Sequence, residues 1–209
     1  MATVTRPALA MPAAPSAAAE EFDGVWRLSV DRYHAIIRAG ILTEDDPVEL
    51  LEGVLVQKMP KNPAHVTAKR LLRKALERIV PAGWIVDTED PVTTKDSEPE
   101  PDIVVIRGTD LDFADRHPGP KDTALVVEVA DSSLRRDRGQ KKRLYARARV
   151  PEYWIVNLID RQIEVYAEPT GPGRKPDYRK PTIYSAAGVV PVVIDGRQVG
   201  RLTVADLLP

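Results

Sequence analysis

The stretch TALVVEVA, residues 123 to 130, decides how the rest of the chain is read. It is short, apolar and β-branched on both parities, which predicts a strand buried on both faces in the interior of a sheet. Glu128 is the exception inside it. An ionised carboxylate there is so unfavourable without partners that it would sooner take up a proton, so it needs a cation, hydrogen-bond donors or an open strand end. The polar residues Asp131, Ser132 and Ser133 that follow place it near a strand end.

Outward from that strand the pattern alternates between helix and strand periodicity. Upstream, WIVDT (84–88) and PDIVVIRG (101–108) read as strands, and VELLEGVLVQKM (48–59) as a hairpin pivoting on Glu52 and Gly53. Ser29 is placed to cap a helix running to Gly40. Residues 63 to 80 carry Val66, Leu71, Leu72, Leu76 and Ile79 at helical spacing, with Lys69, Arg70, Arg73, Lys74 and Arg78 between them. Downstream come a basic helix from about Arg135 to Ala148, strands at EYWIVN and QIEVY, a Pro/Gly-rich loop over 168–180, and a Tyr/Val-rich stretch ending in VADLLP. That order is a mixed α/β layout.

Composition bounds the chemistry. With 209 residues and no repeat, the chain suits one domain, expected over 23–209, behind an Ala/Pro-rich tail over 1–22 that is expected to be disordered. Prolines interrupt the apolar core that a secretory signal needs, and no window approaches a membrane span, so the protein is expected to be soluble and cytoplasmic. The absence of cysteine excludes disulfides, a thiolate nucleophile and a cysteine-based zinc site. His34, His65 and His117 lie in unrelated segments, which argues against a histidine metal cluster, and no GxSxG elbow supports serine hydrolase chemistry. A formal net charge of −1 confines any nucleic-acid contact to local patches, of which the basic helix, with Arg135, Arg136, Arg143 and Arg147, is one and residues 63–80 another.

Asp102 stands at a strand start behind SEPEP, where Pro99 and Pro101 cannot donate ladder bonds. Asp102 and Glu128 at neighbouring strand ends make a metal-site geometry, since hard divalent cations take carboxylates, waters and phosphate oxygens, and the Val129 carbonyl can complete the shell. The plainer alternative makes Asp102 a turn cap and pairs Glu128 with a structural arginine. Lys141 shares an inward helical stripe with Leu144, Tyr145 and Ala148. Beside two carboxylates and a metal, its ammonium would position an attacking water and stabilise charge on a phosphate; alternatively it pairs with Asp137 four residues earlier. Asp131 and Asp137 read either as supporting acids or as turn and first-turn residues, and Gln140 either orients the site or faces solvent. Trp154 is expected to pack in the core.

EPEPDIVVIRG, ALVVEVADSSL and DRGQKKRLYARARVPEYWIVN, with QIEVY after them and ELLEGVLVQKMP upstream, together resemble the Uma-two family of restriction-endonuclease-like proteins in the PD-(D/E)XK nuclease superfamily. The resemblance implies a restriction-endonuclease-like core, a mixed sheet flanked by helices, and Mg²⁺- or Mn²⁺-dependent hydrolysis of DNA. Under it, Asp102 is the PD aspartate and Glu128 the (D/E)XK acid. Ala130 stands where the lysine would, so Lys141 resembles a displaced catalytic lysine. Glu49 matches an upstream acid, giving Glu49, Asp102, Glu128 and the Val129 carbonyl as the metal set. The expectation is a DNA endonuclease, as a homodimer because cutting both strands usually takes two sites. The alternatives are a non-enzymatic protein of the same fold that binds nucleic acid or a protein partner, and a hydrolase of another phosphodiester.

Overall fold

A computed structural model describes residues 24–209; the tail expected over 1–22 lies outside the described residues. In chain order the elements are α1 (Val30–Arg38), β1 (Val48–Leu51), β2 (Val54–Gln57), α2 (Pro63–Glu77), β3 (Trp84–Asp87), β4 (Ile103–Arg107) and β5 (Thr123–Ala130). Then follow α3 (Leu134–Arg136), a π-helical segment (Asp137–Lys141), α4 (Lys142–Ala148), β6 (Glu152–Asn157), β7 (Gln162–Pro169), β8 (Tyr178–Ser185), β9 (Val189–Ile194) and β10 (Arg197–Thr203). Short 3₁₀ turns occupy Asp110–Phe113 and Val204–Leu207.

β5 is buried along its whole length, as its composition predicts, inside a six-stranded sheet of order β3-β4-β5-β6-β7-β8. It runs antiparallel to β4 and parallel to β6. The parallel pair needs a crossover, supplied by the helical run from Leu134 to Ala148. The period of two splits the residues between faces. Leu125, Val127 and Val129 join Ile103, Val105, Trp154 and the α2 residues Ala68, Leu72 and Leu76 in one core. Val126 and Ala130 join Val104, Ile106, Tyr153 and the α4 residues Leu144 and Tyr145 in the other. Glu128 shares the parity of Val126 and Ala130, so it faces the crossover helix.

Local signals account for the boundaries. Ser29 caps α1 by accepting from the Arg32 amide, and Asn62 caps α2 by accepting from the His65 amide, with Pro63 at its first turn. α2 stops at Glu77, short of the expected Val80, because Val80 precedes Pro81 and that position is driven out of the helical region. The β1–β2 hairpin turns on Glu52 and Gly53, both at positive φ (51° and 79°). The basic helix is not one α-helix: its middle widens into the π segment. The Tyr/Val-rich C-terminal stretch resolves into β8, β9 and β10, which shortens the expected 168–180 loop.

Glu152 opens β6 in a buried position and accepts a hydrogen bond from Trp154 Nε1 (3.0 Å). Burial pushes its carboxyl up to about 7, against the pull of the Trp154 bond and Lys180. The folded protein therefore holds this proton more tightly than the unfolded chain, so stability is lost as pH rises from the ordinary carboxyl range through 7. Glu152→Gln should leave stability unchanged at low pH and raise it by about 2–3 kcal/mol above neutrality, read by urea unfolding across pH.

Candidate active site

The register brings the acids together. Ile103 pairs with Val127, so one step further along the antiparallel ladder Asp102 stands beside Glu128 on the face toward the π segment. Asp102 is fixed at both oxygens, accepting from the Val129 amide (2.9 Å) and meeting His65 Nε2 at 2.8 Å. These contacts outweigh burial and hold its carboxyl below the usual range. Its role is therefore not that of a turn cap: it ties the start of β4 to the end of β5 and to the first turn of α2.

Glu49 arrives from β1, buried, with Oε2 accepting from the Glu100 amide (3.1 Å). The hairpin that carries it is anchored on the crossover helix, since Arg143 and Arg147 both reach Glu52 and Arg147 also reaches Asp96. Arg136 donates to the Gln57 carbonyl (3.0 Å) and lies 3.9 Å from Glu49. Three of the arginines that the sequence offered for phosphate contact thus hold the hairpin, and only Arg136 among them lines the cleft.

Residues four apart share one face of a helix, and the π segment keeps that alignment. Asp137 and Lys141 both point inward as a result, at 1% and 6% exposure. Lys141 Nζ lies 2.9 Å from Glu128 and 3.3 Å from Glu49 and makes no ion pair with Asp137, so the ammonium stands between two carboxylates from different elements. Glu128 also accepts from the Tyr145 hydroxyl (3.1 Å), and Asp137 from Ser133 Oγ (2.5 Å). Lys141, not an arginine, is thus the cation that Glu128 requires.

Glu49, Asp102, Glu128, Asp137 and Lys141 line a cleft of about 290 Å³, with Asn62, His65, Val129 and Asp131. Lys58, Lys61 and Arg136 stand at its rim, with Glu89 and Glu100. Four buried carboxylates face one buried ammonium. Burial, then the neighbouring Asp137, Asp102 and Glu49, drives the Glu128 carboxyl well above its ordinary range although Lys141 pulls the other way. Asp137 rises to about 6, chiefly through burial. Burial pulls the Lys141 ammonium down, but the surplus of carboxylates outweighs it and keeps the group charged.

A hard divalent cation fits this donor set, all carboxylate and carbonyl oxygen with a surplus of negative charge. The donors are not preassembled: among the described residues no group of three or more His, Asp or Glu side chains is close enough to hold a metal ion. The Lys141 ammonium occupies the space between Glu49 and Glu128. His65 escaped the sequence reading as a cleft residue, whereas Asp137, which the sequence left open between a supporting acid and a first-turn residue, lines the cleft. For His65 the one local signal was its place in the first turn of a helix capped by Asn62, and its partner Asp102 is remote in sequence.

The fold is a mixed α/β core, a six-stranded sheet flanked by helices, with the cleft at the ends of its β4 and β5 strands. A solved structure that the chain resembles is described as a "putative nuclease belonging to DUF820" from Anabaena variabilis ATCC 29413, at TM-score 0.60 and 16% identity, covering 82% of this chain and 96% of that one. The chain has no significant match among curated proteins. Residues 30–204 match the model of the Uma-two family, described as "Putative restriction endonuclease", and the chain belongs to that family. Among the described residues no helix is long and apolar enough to cross a membrane.

Proposed function

We propose that this chain is a cytoplasmic, metal-dependent DNA endonuclease of the PD-(D/E)XK type that hydrolyses phosphodiester bonds in the cleft between β4, β5 and the π segment. The observation that carries this reading is the surplus of buried carboxylate around one lysine, beneath a rim of Lys58, Lys61 and Arg136. Mg²⁺ or Mn²⁺, held by Asp102, Glu128, Glu49 and the Val129 carbonyl, would polarise the phosphate and make bound water a nucleophile near neutral pH. The chain's own residues do the rest. His65 and the Val129 amide keep Asp102 ionised and oriented. Tyr145 and Lys141 fix Glu128, and the Lys141 ammonium screens charge that builds on the phosphate. The rim cations bind the flanking backbone, which makes affinity fall with salt. Cutting both strands takes two such clefts, which a homodimer would bring.

One observation favours a second reading. Lys141 already fills the gap between Glu49 and Glu128, as it would in a protein of this fold that binds nucleic acid or a protein partner without cutting. Nicking of supercoiled plasmid with Mg²⁺ or Mn²⁺ separates the two. The nuclease reading expects cleavage that EDTA stops and that Glu128→Gln lowers by roughly a hundredfold or more. Plasmid, single-stranded and branched DNA bound but left uncut would instead support the binding protein.

A further inference from the structure

At the mouth of the cleft, Glu89 occupies a left-handed backbone conformation (φ 66°) rare for a residue with a side chain. Its amide donates to the Pro101 carbonyl (3.0 Å), which fixes the loop after β3 beside Asp102. Its carboxylate is shared by two ammonium groups, lying 2.7 Å from Lys61 and in contact with Lys69 through the same oxygen. Lys61 is also 3.9 Å from Asp102, so it borders the proposed reaction centre, with Lys69 joined to it through Glu89. The exposures are unequal: the Lys69 side chain is 13% exposed and that of Glu89 42%. Burial, followed by the like charge of Lys61, pulls the Lys69 ammonium below its usual range. Two crowded ammoniums, one of them largely buried, require an anion between them, and the anion present is the most solvent-facing member of the trio. Lys69 follows His65 by one helical turn on α2, so a group bound there would lie on the same helix face as the Asp102 partner.

We propose that Lys61 and Lys69 form a phosphate-binding subsite for the DNA phosphodiester next to the one cleaved, and that the Glu89 carboxylate is an internal stand-in which that phosphate displaces. This rests on the nuclease reading for its ligand, while the subsite itself rests on the lysine pair. Glu89 then sets affinity by competition: DNA binding must expel a carboxylate from its two cations before the phosphate can use them.

The test is fluorescence anisotropy with a labelled duplex, without added divalent metal, on the full chain. Glu89→Gln should tighten binding about fivefold or more, and Glu89→Gly, which also relieves the backbone, should do the same. Lys69→Gln should weaken binding and lower the slope of log affinity against log salt by about 0.9. In the double variant Glu89→Gln with Lys69→Gln the gain from Glu89→Gln should shrink markedly. Unchanged or weaker binding in both Glu89 variants overturns the proposal. Should wild type and every variant fail to bind DNA both without metal and with Ca²⁺, the nuclease reading falls, and thermal shift with inorganic phosphate decides the subsite. A larger shift in Glu89→Gln than in the double variant keeps the lysine pair as a phosphate site, and equal shifts overturn it.

Discussion

Lys141→Ala should be the most damaging single change to the cleft, lowering stability by about 3–5 kcal/mol near neutral pH. The loss comes less from the ion pairs themselves than from what remains, since Glu49 and Glu128 would be buried with no cation between them. The direction of the Glu128 shift gives the pH dependence. Its carboxyl is held above the ordinary range by burial, so the folded state binds that proton more tightly than the unfolded chain does. Lowering the pH through that range neutralises Glu128 and should recover part of the loss. Urea unfolding of wild type and Lys141→Ala at about pH 5 and about pH 8 should therefore show the larger difference at the higher pH. A cost below about 1 kcal/mol at both would mean that another group compensates the acids.

Arg138→Ala should cost about 2–3 kcal/mol at neutral pH although it lies outside the cleft, less than a fully buried pair would because its side chain is 41% exposed. Arg138 belongs to the π segment and reaches across to the buried Glu164 on β7 through Nε (3.0 Å) and Nη2 (2.5 Å). Glu164 also accepts from Asn157 (2.8 Å) and Tyr166 (2.8 Å). Burial alone would raise its carboxyl, but the donors, Arg138 first, hold it down at about 2. A carboxyl depressed in the folded state stabilises above its unfolded pKa and loses that contribution as pH falls through its folded value. Wild type should thus lose up to about 3 kcal/mol between roughly pH 5 and pH 2 from this group, and Glu164→Gln should flatten that part of the acid profile. Arg138→Ala should in addition shift the onset of acid unfolding to higher pH, because Glu164, left with Asn157 and Tyr166 as donors, would resist protonation less. Because Asp137 and Lys141 share the segment that Arg138 anchors, the same variant should weaken any chemistry in the cleft. A stable Arg138→Ala would show that the π segment is held by its own packing on the sheet.

The sheet was legible because its signals are local. The apolar run of β5, the proline-guarded start of β4, the Glu52–Gly53 turn and the Ser29 cap each act within a few residues of where they are read. The inward stripe of Lys141, Leu144 and Tyr145 was legible for the same reason, and so was the place of Asp137 four residues before Lys141, yet the π segment was not. No composition rule marks an inserted turn; its stabilisation comes from Tyr153 donating to the Asp137 carbonyl and from Arg138 reaching β7, both long-range. His65 was missed because its meaning depends on Asp102, 37 residues away. The basic helix misled in part, because charge in sequence does not say which arginines face a carboxylate. Glu52 and Asp96 claim Arg143 and Arg147 for the hairpin, which leaves the cleft rim to lysines of the 58–61 loop and to Arg136.

The surplus carboxylates of the cleft should bind a divalent cation. Titration calorimetry with Mn²⁺ on wild type and on Glu128→Gln tests it most directly, since the amide keeps the shape of the side chain and removes its charge. The expected result is saturable binding by wild type that is weakened by roughly tenfold or more in Glu128→Gln, with both proteins folded. Equal binding by the two, or none by wild type with or without DNA, would contradict it.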